Sequence, residues 1–242
     1  MVKAGQAPRG GETPRRNLGR RERRKLATRE ALLGATRALL VSRSMDALSV
    51  DEIVERADVA RGTFYNYFPD KDPLERELAT QTRARIESEI ARVNQGVRDP
   101  AERIARAFLS VLRLGIGAPQ QATAMMRLFP RATDPAAPIN SGARRDAADG
   151  IAQGRIVASS EDAAITSIVG VFMAGVNRAL ELPAERVHEF ARGLGAILLH
   201  GLGLKRTEAE RIMREAVESI HLQPLPSRGE RRRPSKESTG RD

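Results

Sequence analysis

Residues 49–71, SVDEIVERADVARGTFYNYFPDK, constrain this chain more than any other stretch. They read as two short helices joined by a tight turn. Ser49 is a favourable N-cap and Glu52 lies three residues on, so the two form a capping box, with Leu48 and Ile53 placed as a hydrophobic staple around it. The first helix is expected to end near Ala57, with Asp58 and Val59 in the turn. The second is expected over 61–68 and ends before Pro69, which cannot continue it.

The spacing assigns faces to that second helix. Phe64 and Phe68 are four apart, fall together and must be buried. Gly62, Thr63 and Asn66 lie opposite, Tyr67 at their edge, Tyr65 on the other flank and Arg61 at the N-terminal tip. An apolar anchor beneath small, amide and phenol groups suits the DNA major groove, where a helix N-terminus meets base edges while hydroxyls and amides take phosphates. The same pattern also fits an ordinary helical hairpin with amphipathic tyrosines.

The stretch ALSVDEIVERADVARGTFYNYFPDKDPL resembles the helix-turn-helix of the tetracycline-repressor (TetR) family of transcriptional regulators. The Thr63-Phe64-Tyr65 triplet, Tyr67-Phe68, Lys71 and Leu74 carry the likeness, which reaches from about Arg20 to about Ala79. It implies an all-α chain: a three-helix DNA-binding domain over 20–80, then a helical effector-binding and dimerisation domain over 81–222. It implies a homodimer, and a phosphate contact for Lys71. The family usually has Gly where this chain has Asp58, and a capping Ser where it has Ala60. Asp tolerates a left-handed backbone, so the turn is expected to survive. The missing cap costs about 1 kcal/mol.

The formal charge is +10. Residues 1–25 hold nine Lys/Arg against two Glu, and 223–242 hold six against three acids, so the excess sits on the two ends. Residues 1–19 are read as a disordered basic arm and 223–242 as a disordered basic tail, with disorder expected as far as residue 22. Either segment is a phosphate-tracking polycation or a solubilising tail. The reading unit itself is not basic: residues 26–75 carry six Lys/Arg and nine Asp/Glu. Attraction to DNA then needs placed groups such as Lys71, at a helix start where the dipole disfavours a cation unless a phosphate docks there.

Cysteine is absent, which excludes disulfides and thiolate metal sites. The first 30 residues hold no apolar segment, so no signal peptide is expected. The longest apolar run, 163–176, is shorter than the ~20 residues a bilayer span needs. The expected location is the cytoplasm, with no membrane partner. His188, His200 and His221 are too scattered for metal ligation, and no catalytic or phosphate-cradling motif occurs. Neither enzyme activity, metal nor cofactor is expected.

Helical spacing predicts further helices over 24–41, 73–93, from Asp99 to about Gly115, 120–129, 143–153, 161–181 and 184–202, with a loop over 131–142. Thr207 and Glu210 read as a capping box opening a last helix to about Ile220. The 161–181 and 184–202 pair is apolar over a wide arc, and Gly170, Ala174 and Gly175 offer close approach. The pair is expected to pack on its two-fold mate as a four-helix bundle. Phe108, Met125, Met126, Phe129, Phe172 and Met173 are candidates for an effector pocket, as deformable apolar residues, or else plain core. No acid stands clearly on an apolar face, which leaves no argument for a cationic ligand. The function expected is a sequence-specific regulator of double-stranded DNA, released from a near-palindromic operator by a small molecule. The alternative is an architectural protein binding DNA through its tails without sequence preference.

Overall fold

The computed structural model describes residues 19–129, 132 and 134–220. Among the described residues the chain forms ten α-helices and one short 3-10 helix, and no strand. The basic tail over 223–242, and the arm up to residue 18, lie outside the described residues.

Four helices build the N-terminal part: α1 (Arg20–Leu39), α2 (Val50–Ala57), α3 (Arg61–Tyr65) and α4 (Lys71–Val93). Helix α1 begins four residues before the expected start, so Arg20 to Glu22 are helical rather than disordered. Glu22 accepts the Gly19 N–H at 3.3 Å, which satisfies one orphan donor at the helix start. Leu32, Leu33, Leu48, Ile53, Phe64 and Phe68 close over one core, joined by Leu74 and Leu78 of α4. Arg29 seals its edge: the guanidinium lies 4.7 Å above the Phe68 ring, and its Nε donates to Glu77 Oε1 at 2.8 Å.

Helix α5 (Pro100–Gly117) is the axle of the C-terminal part, buried along much of its length because other helices pack around it. Asp99 caps it, accepting from the Ala101 N–H at 2.8 Å, and Pro100 takes the first position, where no N–H is needed. Around it stand α6 (Pro119–Leu128), α7 (Ser141–Ala152), α8 (Glu161–Ala179), α9 (Ala184–Gly201) and α10 (Arg206–Ser219). The expected loop over 131–142 contains a 3-10 turn, Pro138–Asn140, and α7 starts earlier than expected. Buried Asn140 organises that turn by donating to the Ala132 and Asp134 carbonyls at 2.6 and 2.8 Å.

The expected Thr207–Glu210 capping box does not form. Helix α10 starts at Arg206 with Lys205 as an N-cap that makes no side-chain bond. Glu210 instead accepts from Arg206 Nε at 3.0 Å, an i,i+4 pair that takes it away from the helix start. The turn before α10 depends on Gly203, whose φ of +100° is strained for any residue with a Cβ. Gly175 also departs from expectation. A Cβ there would lie 2.8 Å from the Phe108 ring, so this glycine serves packing inside the subunit rather than approach by a second chain.

Arg155 clamps three elements. Its Nε and Nη2 donate to the Asp99 carboxylate at 2.7–3.0 Å, and its Nη1 lies 2.8 Å from Glu208 of α10. Burial pushes the Asp99 carboxyl up, but the Arg155 bonds and the Ala101 N–H outweigh it, so it is held below the ordinary carboxylate range. A depressed native value stabilises the fold above the unfolded value and ceases to do so as pH falls through the lower native one. Asp99→Asn is therefore expected to cost about 1–2 kcal/mol at pH 7. That cost should shrink below about pH 4, where the unfolded carboxyl begins to protonate. Urea unfolding of both proteins across pH 3–7 checks this, and a cost independent of pH would contradict it.

Candidate nucleic-acid interface and ligand cavity

The geometry of α2 and α3 follows from three local devices. The Glu52 N–H donates to Ser49 Oγ at 3.2 Å and the Ser49 N–H donates to Glu52 Oε2 at 2.9 Å, closing the box. These contacts hold the Glu52 carboxyl below its ordinary range. Asp58 has φ 54° and ψ 52°, the left-handed conformation that a tight inter-helix turn demands. Phe64 and Phe68 are essentially fully buried, with ring centroids 5.9 Å apart, and fasten α3 from beneath.

Helix α3 is shorter than expected. Asn66 and Tyr67 form a turn after Tyr65, although the Phe68 N–H still reaches the Phe64 carbonyl at 2.9 Å. Ala60 supplies no cap. Arg61, Gly62, Tyr65 and Asn66 are exposed, and Thr63 and Tyr67 are half-buried, so these six make up the accessible part of α3 and of the turn that follows it.

Two of the candidate residues, Arg61 and Lys71, have partners that the sequence did not suggest, while Ser49 stays with the Glu52 it was expected to meet. Arg61 Nη1 donates to both oxygens of Asp51 at 2.8 and 2.9 Å, which lays the guanidinium across the start of α2. The Ser49 hydroxyl donates to Glu52 Oε2 at 2.8 Å. Lys71 Nζ donates to the carbonyls of Met45, Asp46 and Leu48 at 3.3, 3.4 and 2.5 Å. Its ammonium thus ties the α1–α2 turn to the start of α4. Among the described residues neither Asp70 nor Asp72 is bonded to this ammonium; Asp70 caps α4 through the Asp72 N–H at 2.9 Å.

A cavity of about 570 Å³ opens between α4, α5, α7 and α8. Ile86, Ile90, Ile104, Met125, Phe172 and Met173 form its apolar part. Three of the six pocket candidates, Met125, Phe172 and Met173, are thus brought together. Phe108 stacks behind Phe172 at 5.3 Å between centroids and is fully buried in the core. Phe129 packs on the cluster beneath α3, and Met126 is not among the lining residues.

The polar end of the cavity was missed by sequence reasoning. Arg103 donates to Asp146 Oδ1 at 2.7 Å and to Asp149 Oδ2 at 2.6 Å. Asp146 is only 7% exposed, which corrects the expectation that no acid lies on an apolar face. The signal was its place beside Ala147 and Gly150 on one side of α7, both buried. Burial pushes the Asp146 carboxyl above its ordinary range, with Arg103 pulling it back.

Helix α6 bridges the two regions. Its Met125 lines the cavity, while Ala124 and Leu128 belong to the core beneath α3. Arg127 Nη1 donates to the Leu40 carbonyl just past α1 at 3.0 Å.

A small helix-turn-helix unit set on a helical domain that contains a cavity is an architecture of helix-turn-helix transcriptional regulators. Residues 32–78 match the model described as bacterial regulatory proteins of the tetR family, and residues 99–215 match the tetracyclin repressor-like C-terminal domain. The chain belongs to the TetR family of transcriptional regulators. A stretch of 119 residues, 49% of this chain, is 34% identical to the HTH-type transcriptional repressor KstR of Rhodococcus jostii. That match spans about half (53%) of the relative's own length. The structure of RolR in complex with resorcinol is similar at 28% identity and a TM-score of 0.51, over 80% of this chain and 96% of that one. A TetR-like regulator from Rhodococcus sp. RHA1 shares the fold, with a TM-score of 0.58 at 17% identity, over 74% and 97% of the two chains. Among the described residues no helix is long and apolar enough to cross a membrane, and no cluster of His, Asp and Glu is arranged to hold a metal.

Proposed function

We propose that the protein is a homodimeric repressor that binds a near-palindromic operator in the cytoplasm and leaves it when a small molecule fills the cavity. The observation that carries this reading is the exposed polar side of α3 and its following turn, fastened from below by Phe64 and Phe68. The repressor match and the family support the DNA-binding part. The resorcinol-bound relative supports the ligand-responsive part.

In the proposed complex Arg61 exchanges Asp51 for guanine O6 and N7, a bidentate contact that its planar fork suits. Gly62 admits close approach of the backbone to DNA. Thr63, Tyr65, Tyr67 and Ser49 contact phosphates, with Asn66 on phosphate or base. Lys71 serves the backbone of the DNA from the same turn whose carbonyls it holds, so its loss would disturb both the turn and the contact. Two copies of α3 enter successive major grooves about 34 Å apart. A ligand against Met125 shifts α6, and α6 moves the core of the reading domain through Leu128 and Arg127.

The dimer is proposed to form through α8 and α9. Ala163, Ser167 and Ala174 leave one side of α8 exposed and small, and Gly170 has open space where a Cβ would stand. On α9, Arg186, Gly193 and Ile197 fall along one exposed side.

Arg61→Ala is expected to cost about 1–3 kcal/mol at one base pair of each half-site and to flatten the preference there. Selection of bound sites from random DNA, run for both proteins, tests it. An unchanged preference at every position would remove Arg61 from base reading, and the absence of any symmetric site would end the repressor reading.

A further inference from the structure

The cavity has a dry interior and a charged mouth, and the two together define a class of ligand, given the reading above that this is the effector site. Ile104, Ala107, Ile168 and Val169 are buried in its wall, with Phe172 and Met173 beside them. The lining residues exposed to solvent are Glu87 and Ala91 of α4 and Ser141 and Arg145 of α7. The cavity therefore opens between these two helices. Ser141 Oγ spans the opening by donating to Glu87 Oε1 at 3.1 Å.

The charged groups of the wall are unequally occupied. Arg103 is committed: it donates to Asp146, Asp149 and the Arg98 carbonyl at 2.7, 2.6 and 3.0 Å, which also engages both aspartates. Arg145 makes no hydrogen bond or ion pair among the described residues and acts on the Asp146 carboxylate only through space. Its guanidinium turns back along α7, with Nη2 4.0 Å from where a Gly142 Cβ would stand, and this brings it beside Ser141. Arg83, one turn before Glu87 on the same stripe of α4, lies 3.9 Å from that carboxylate, outside hydrogen-bonding reach. The mouth thus holds two guanidiniums with N–H groups to spare and one carboxylate. A guanidinium fork matches an oxyanion and binds it more strongly than a neutral acceptor. A cationic head would meet Glu87 flanked by two arginines.

We propose that the cavity takes an anionic amphiphile: an apolar body against Ile104, Ile168, Phe172 and Met173, and an oxyanion head, a carboxylate or a phosphate, held at the mouth by Arg145 and Arg83. The head keeps part of its hydration there, so it is not carried into the apolar wall. It gains donors without displacing any ion pair, because the aspartates behind it stay with Arg103.

Probes with one decyl body and different heads test this: decanoate, decyl phosphate, decanol and decyltrimethylammonium, each titrated calorimetrically into the full chain at low salt. The better of the two oxyanions is expected to bind about tenfold tighter than decanol, the factor that a charge-assisted hydrogen bond at a partly exposed site supports, and the ammonium weakest. Which oxyanion leads identifies the head. Arg145→Gln is expected to bring that oxyanion to within about twofold of decanol. Glu87→Gln removes the one acid at the mouth while its amide oxygen can still accept from Ser141. It should tighten the oxyanion about threefold or more, a gain that a misfolded variant could not give. The proposal is overturned if decanol or the ammonium matches the better oxyanion, if no probe binds, or if both variants leave the order of heads and their spacing unchanged. Footprinting the same preparation on a selected symmetric site keeps the two readings apart. A footprint with the wrong head preference sinks only the ligand class, whereas no footprint at all sinks the repressor reading.

Discussion

Phe64→Ala should unfold the reading domain before it alters any contact with DNA. The side chain is fully buried, packs edge-on to Tyr65 at 5.4 Å and tilts against Phe68 at 5.9 Å. Truncation removes a large apolar surface and leaves a cavity under a helix of only five residues. The cost expected is about 3–5 kcal/mol. A helix that short has almost no stability of its own, so it depends on this tertiary anchor. Operator binding should be lost at 25 °C, and thermal unfolding should show an early transition that the wild type lacks. If Phe64→Ala keeps full operator affinity, α3 is not held by its phenylalanines and the proposed reading of DNA fails with it.

Ile197→Asp should convert the proposed dimer to a monomer. Ile197 is 69% exposed, an unusual position for a large aliphatic side chain in the middle of a long helix. In a symmetric interface each substitution appears twice, and two carboxylates would meet near the axis without partners. The operator would then be held through one half-site at a time, which lowers affinity by about 10²–10⁴-fold through loss of effective concentration. Light scattering of the purified variant reads the mass, and titration of the selected site reads the affinity. A variant that stays dimeric places the interface elsewhere. The fold itself should survive, because Ile197 contributes little to the subunit's core.

The reading unit was legible because its determinants are local. Ser49 and Glu52 close their box within one turn, Asp58 adopts the left-handed turn on its own backbone preference, and Phe64 and Phe68 are four residues apart. Most helices followed for the same reason, since a 3.6-residue apolar period needs no knowledge of the partner. The Thr207–Glu210 box failed because Glu210 had a competing partner one turn away, Arg206, and the motif alone does not say which wins. Gly175 was read as a point of close approach, but a small residue does not name what approaches, and here it is the Phe108 ring rather than another backbone.

The amino-acid sequence alone thus determined the helical class, the helix-turn-helix, the buried pair under α3 and the family. All of these depend on spacing within a few residues. Only the tertiary structure decided where the long-range polar partners stand. Lys71 meets carbonyls more than twenty positions away, Arg155 joins Asp99 to Glu208, and Arg103 gathers Asp146 and Asp149. A charged side chain is equally at home on any solvated face, so its partner is chosen by how the helices pack, and periodicity carries no record of that choice.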